Sequence, residues 1–393
     1  MPADDRSNGG AERIALAVLL TALVTIPTTA ALTLRWERRA PPPAVAPAAP
    51  SSSDVPIAKF VPAPTLGRED ISARAVGALK VSAADLNGDG DDELILAGDT
   101  LRVQRADGQL LASLPSPGGV QVLEAFGGAV LAGWGRTKAA VDAQASVVRY
   151  TLSGAELRPE AVLNPAGERQ QVVAISPMRD ALLVAWYSDK YLVQAVKATG
   201  KGQDWATSPL AEARTAPVWL PGDLDGDGRE DLVIGRTYGD LQGSDGDAVL
   251  LRAGGERVPI PTTRGVRAGC LADTNGDGHP EIALADGWDK DYGHKAKAQL
   301  RLAWWADGGV STTVLDLVQG DNDVSRLLAA DIDGDGRDEL LAVTNNRLRV
   351  VEKEGDSWIA WDAAQHVEDA AVLRGPAGVR VVAIGPSSEI LSR

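Results

Sequence analysis

The segment Asp331-Ile-Asp-Gly-Asp-Gly-Arg-Asp-Glu339 puts five acidic side chains and two glycines into nine residues, then runs straight into the apolar Leu340-Leu-Ala-Val343. Alternate side chains at positions 1, 3 and 5 of such a loop can converge as oxygen ligands. Glycine at position 6 permits a sharp turn, position 7 offers a backbone carbonyl, and the acid at position 9 closes the set. A short apolar run after such a loop reads as a buried strand more readily than as a helix. The pattern recurs as Asp85-Leu-Asn-Gly-Asp-Gly-Asp-Asp-Glu93, Asp223-Leu-Asp-Gly-Asp-Gly-Arg-Glu-Asp231 and Asp273-Thr-Asn-Gly-Asp-Gly-His-Pro-Glu281. The apolar runs that follow are Leu94-Ile-Leu-Ala97, Leu232-Val-Ile-Gly235 and Ile282-Ala-Leu-Ala285. The repeating unit is strand, acidic loop, strand.

First aspartates at 85, 223, 273 and 331 stand 138, 50 and 58 residues apart. The first interval is three times 46, which leaves room for two units without the acidic signature. Residues 120–133 and 172–185 supply them, and 371–385 aligns without a gap to 84–98 as a seventh. Seven units of about 46 residues predict an all-β, seven-bladed propeller. The last unit ends one strand short, so residues 57–66 are expected to supply that strand and close the ring, removing an exposed sheet edge.

Each acidic loop suits a hard divalent cation, and calcium better than magnesium, because calcium accepts six to eight oxygens in flexible geometry. An EF-hand is excluded: position 12 is Leu96, Ile234, Leu284 or Ala342 rather than a bidentate glutamate. Among the expected side-chain ligands, 14 are carboxylates, three each in the first and third loops and four each in the others. Crowding them without a cation is repulsive, so binding is expected to stabilise the fold. With these residues in view, the chain resembles the FG-GAP/VCBS repeat family, which includes the propellers of integrin α subunits. The resemblance covers about residues 70–393, strong over four units and faint over three. It implies about four calcium ions. Their sites would be Asp85, Asn87, Asp89, Asp91 and Glu93; Asp223, Asp225, Asp227, Arg229 and Asp231; Asp273, Asn275, Asp277, His279 and Glu281; and Asp331, Asp333, Asp335, Arg337 and Glu339. Position 7 contributes only its carbonyl.

The resemblance also places ligands on the face opposite the calcium loops, where aromatic residues recur. Trp134, Trp186, Tyr187, Tyr238, Trp288 and Tyr292 are the candidate ligand-binding residues, suited to a glycan or a peptide. The alternative is that these rings pack between blades.

Upstream of residue 65, where the propeller is expected to begin, the chain divides into three parts. A flank at 1–13 precedes an uncharged run of 21 residues at 14–34, long enough to form a helix that crosses a bilayer. The run reads as a retained transmembrane anchor, with a cleavable signal peptide ending near Thr28-Thr29-Ala30 as the alternative. A linker at 35–64 follows; its stretch from residue 40 holds eight prolines and reads as an extended spacer. The propeller is therefore expected on the extracytoplasmic side of a membrane, or secreted or periplasmic if the segment is cleaved. The net charge of -15 argues against nucleic acid. A single cysteine, Cys270, leaves no intramolecular disulfide to staple the domain.

His279, His294 and His366 are scattered through the sequence, and it carries neither a nucleophile elbow nor a phosphate-cradling loop. The expected function is recognition or adhesion towards a glycan or protein, not catalysis. The alternatives are a structural part of a cell-envelope assembly and, behind it, a polysaccharide-acting enzyme.

Overall fold

The computed structural model describes residues 58–136, 144–164, 171–187, 193–199, 206–213, 217–236, 248–262, 265–286, 299–306, 309–316 and 324–393. The expected anchor at 14–34 and most of the linker lie outside them. Among the described residues there is no helix, hence none long and apolar enough to cross a membrane.

Among the described residues, twenty-nine strands form seven sheets, antiparallel apart from one added edge pair. Blades 1 to 6 occupy residues 78–115, 119–163, 171–213, 217–260, 268–316 and 324–365. Blade 7 takes Asp369–Gly375, Gly378–Ile384 and Glu389–Ser392 from the C-terminal end and Gly67–Asp70 from the N-terminal side. The first strand of each blade touches the first strand of the next, and that of blade 7 touches that of blade 1, so the ring is closed. The closing strand is thus Gly67–Asp70 rather than residues 57–66. The earlier stretch does something else: Lys59–Phe60 pairs in parallel with the outermost strand of blade 6, as a fifth strand. Ala58 is buried between blades 5 and 6, which fixes that register before the chain crosses to blade 7.

Seven hydrophobic clusters lie one at each interface between neighbouring blades. This explains the continuous apolar runs after the acidic loops. In Glu93–Gly98, Ile95 and Ala97 face blade 2 while Leu94 and Leu96 face blade 7. Side chains alternate between faces, and here both faces are buried. Residues 120–133, 172–185 and 371–385 form the same pair of strands in blades 2, 3 and 7 without an acidic loop. Trp134 is fully buried between blades 1 and 2, where its indole N–H donates to the Tyr150 hydroxyl at 3.1 Å. Trp186 fills the interface between blades 2 and 3, and Tyr187, half-buried, packs towards blade 4.

Polar ties supplement this packing at the seam. Arg326 of blade 6 donates to both carboxylate oxygens of Asp369 in blade 7, at 2.8 and 3.0 Å. The same guanidinium reaches the Val81 carbonyl of blade 1, whose N–H in turn donates to Asp369 Oδ2 at 3.0 Å. Three innermost strands are thereby joined across the blade that the two chain segments share.

A second tie repeats around the rim, carried by the eighth residue of the acidic loops. Asp338 Oδ2 accepts the Asp273 N–H of the preceding blade at 2.9 Å while its own N–H donates to the Asp273 carbonyl. Asp92 makes the same reciprocal pair with Arg374, and Glu230 accepts the Arg179 N–H. In the third loop this position is Pro280, and the neighbouring His279 ring instead stands against Gly226 of blade 4.

Two measurements test this architecture. Asp338→Ala strands a part-buried N–H and is expected to cost about 1–2 kcal/mol, read as a lower denaturant midpoint at constant slope. Asp92→Ala, whose partner is exposed, should cost less. Trp134→Ala is expected to cost about 3–5 kcal/mol, the loss for a large side chain removed from a core.

Candidate metal centres

Each acidic loop turns through glycines at its fourth and sixth positions, both with positive φ: 80° and 90° at Gly88 and Gly90, 78° and 87° at Gly334 and Gly336. An L side chain is strained there, which is why both positions are glycine. The turn brings the loop's carboxylates onto its own backbone. In the fourth loop Asp331 Oδ1 accepts the N–H of Gly334 at 2.7 Å and of Asp335 at 3.1 Å, while Oδ2 accepts that of Gly336 at 2.9 Å. The first and third loops repeat the set through Asp85 and Asp273. At position 5, Asp89, Asp227, Asp277 and Asp335 each accept the N–H of position 7, namely Asp91, Arg229, His279 and Arg337. The position 7 side chains are not inward ligands: Arg229 turns back to Asp227 at 2.6 Å and Arg337 to Asp335 at 3.8 Å.

The ninth residue anchors the loop in the blade. Glu93, Asp231, Glu281 and Glu339 are all buried, and each accepts the N–H of the loop's second residue, at 2.8, 3.3, 2.8 and 2.7 Å. Burial raises the carboxyls of Glu93 and Glu281 and pushes Glu339 up to about 7, with Asp333, Glu352 and Asp331 adding to the effect by their charge. A divalent ion in such a loop favours the ionised carboxylate and relieves this crowding.

Two loops gather three carboxylates with oxygens all within 4.8 Å of one another, and they do so differently. The second loop uses Asp223, Asp225 and Asp227; the fourth uses Asp331, Asp333 and Glu339. Asp223 Oδ1 is buried with no hydrogen-bond partner, a lone oxygen suited to a cation. In the first and third loops position 3 is Asn87 or Asn275, whose amide bridges to Glu93 or Glu281 at 2.6 Å. The donor set is all oxygen and rich in carboxylate, which fits a hard cation such as calcium.

Of the aromatic ligand candidates, Trp134 and Trp186 are corrected by their burial: a ring enclosed between blades presents no face to a ligand. Tyr187 is half-buried, and Tyr238, Trp288 and Tyr292 lie outside the described residues. Three arginines near the loops escaped the sequence reading. Arg105 approaches Asp89 at 3.6 Å, Arg252 pairs with Asp225, and Arg393 approaches Asp333 at 3.6 Å. The first two carried a readable signal, because Arg105-Ala-Asp-Gly and Arg252-Ala-Gly-Gly share one turn. In both, the arginine N–H bonds the carbonyl four residues on, and the glycine N–H returns to the arginine carbonyl.

The description "FG-GAP-like repeat" matches residues 223–284 and 273–342, the stretch from the second acidic loop to the fourth. No curated protein matches the chain. Among solved structures, a crystal structure of BBS1N in complex with ARL6DN, soaked with mercury, matches 86% of this chain and 97% of its own at 13% identity and a TM-score of 0.53. The same complex soaked with lead matches the same shares at 14% identity and a TM-score of 0.50. At such identity the likeness is one of fold. The chain is thus a closed seven-bladed propeller whose residues 223–342 match FG-GAP-like repeats.

Proposed function

We propose that the chain is a calcium-stabilised recognition propeller, displayed outside the cytoplasm, that binds a protein ligand. The observation that carries the calcium reading is the loop geometry: a buried closing carboxylate in all four loops, and a buried, unpartnered Asp223 oxygen beside Asp225 and Asp227. Sites of this kind in extracellular modules bind calcium with dissociation constants of about 10⁻⁴–10⁻³ M, which suits a compartment where calcium is abundant. The apolar run at 14–34 and its proline-rich spacer supply the means of export and display.

A protein ligand is preferred to a glycan for two reasons. Burial of Trp134 and Trp186 removes two of the aromatic platforms a glycan would stack on. The propeller of similar fold, BBS1N, is in complex with another protein, ARL6DN. Recognition is preferred to catalysis because the fold resembles recognition modules and the two described histidines are far from each other in role. His279 lies in a calcium loop, and His366 lies in the link between blades 6 and 7, next to the opposite ends of the strands.

Thermal melting of residues 55–393 with calcium and with a chelator tests the first part. At a hundredfold excess over its dissociation constant, each site is expected to add about 2.7 kcal/mol. Glu339→Gln keeps the shape of the closing residue without its charge and is expected to bind one ion fewer. Coincident melts, with no ions retained on dialysis against calcium, would remove the calcium reading. Display is tested by protease added to cells stripped of any outer envelope: the propeller should be cleaved or already released, and protection until the inner membrane is broken would place it in the cytoplasm.

A further inference from the structure

The second acidic loop differs from the other three in its closing residue, its converging carboxylates and its nearest cation. Position 9 is Asp231, one methylene shorter than the glutamates at 93, 281 and 339. Both its oxygens are turned to backbone: Oδ2 accepts the Leu224 N–H at 3.3 Å and Oδ1 the Ala253 N–H at 2.8 Å. The carboxylates left to converge are Asp223, Asp225 and Asp227, so Asp225 matters more here than its counterpart does in a loop closed by glutamate.

Asp225 is also the residue that a guanidinium holds. Its side chain is 5% exposed, and its Oδ2 pairs with Arg252 Nη2. Arg252 is fixed from three further directions. Its guanidinium lies over the Trp305 ring of blade 5 at 4.6 Å, its Nη1 pairs with Glu256 at 3.1 Å, and its backbone closes the turn to Glu256. Its Nε is buried without a partner, which leaves the Asp225 and Glu256 pairs as its polar anchors. The arginines near the first and fourth loops are not held in this way. Arg105 is 48% exposed and 3.6 Å from Asp89, and Arg393 is 3.6 Å from Asp333 while pairing closely with Glu352.

We propose that Arg252 is a built-in counter-cation of the second loop, which calcium must displace from Asp225, so that this loop fills after the other three. The proposal rests on the calcium reading above. Two cations cannot share one carboxylate without repulsion, and the guanidinium starts in place, braced by an aromatic platform on the neighbouring blade. Calcium at this loop therefore competes with an internal ion pair, whereas at the others it meets carboxylates engaged mainly with their own backbone and side-chain amides. Displacement would also release Arg252 from Trp305, coupling the filling of this site to the contact between blades 4 and 5.

The test is equilibrium calcium binding to residues 55–393, followed by competition with a chromophoric chelator, for the wild type and Arg252→Gln. The wild type is expected to show a weak class of one ion, and Arg252→Gln to shift that ion to free calcium lower by about tenfold, the other ions staying in place. An unchanged isotherm, or a weaker fourth ion in the variant, overturns the proposal, the latter because it would make Arg252 an orienting partner of Asp225. If Arg252→Gln does not fold in chelator, Trp305→Leu removes the platform and keeps the charge. A smaller shift in the same direction is then expected, and none overturns the proposal. Absence of calcium binding by the wild type would overturn the calcium reading itself, a result that does not depend on Arg252.

Discussion

Each blade of this ring hides both of its faces, and the whole molecule follows from that condition. A sheet with one wet face alternates apolar and polar residues; a sheet with two dry faces cannot. Hence Leu94 to Ala97 and Leu340 to Val343 are apolar without interruption, their odd and even residues serving different interfaces. Such a blade has no independent stability, because either face left open exposes a hydrophobic cluster. The ring must close, and it does so in blade 7 by pairing Gly67–Asp70 with Glu389–Ser392. The Arg326–Asp369–Val81 tie sits at that seam, where neighbouring blades belong to opposite ends of the propeller chain. A domain with one cysteine has no covalent alternative.

The acidic loops are built on the same condition. Their closing carboxylate is buried because the strand it begins is buried on both sides, and burial is what raises Glu339 to about 7. The loops closed by Glu93, Glu281 and Glu339 therefore carry an electrostatic penalty that the packing imposes and that a divalent ion is suited to relieve. The eighth residue turns the same loop outward to the preceding blade. Through Asp92, Glu230 and Asp338, one nine-residue motif gathers its carboxylates and makes the contact between blades together.

Much of this was legible in the sequence, for a physical reason. The loops announce themselves because their carboxylates must alternate and their glycines must take positive φ, and neither demand tolerates much substitution. Blades 2, 3 and 7 were found by spacing and by the double-faced apolar run, which does not need the acids. The closing strand was misplaced by a few residues because Lys59–Phe60 and Gly67–Asp70 carry almost no hydrophobic pattern; all six residues are exposed. Pairing at an outer edge is a matter of backbone, and composition does not record it. Two of the aromatic candidates were misjudged for the opposite reason. Trp134 and Trp186 stand next to last in the second strands, just before the loops of the opposite face begin, so each is still inside the strand and its ring turns into an interface. A difference of one or two residues along a strand separates a platform from a core residue.

The eighth-position clasp and the arginines were hidden because they act between repeats, and aligning repeats to one another reveals only what each does for itself. Asp338 looks like one more acid of its loop until Asp273 of blade 5 is set beside it. Arg252 looks like the start of a turn until Trp305 and Asp225 are seen on either side of it. Four loops that read as equivalent in sequence are therefore unequal in the folded ring. Two close on glutamate beside an asparagine at position 3, one closes on glutamate with a full set of aspartates, and one closes on aspartate with a guanidinium in reach. Repetition sets the architecture; the neighbours that each loop meets in the ring set what it can hold.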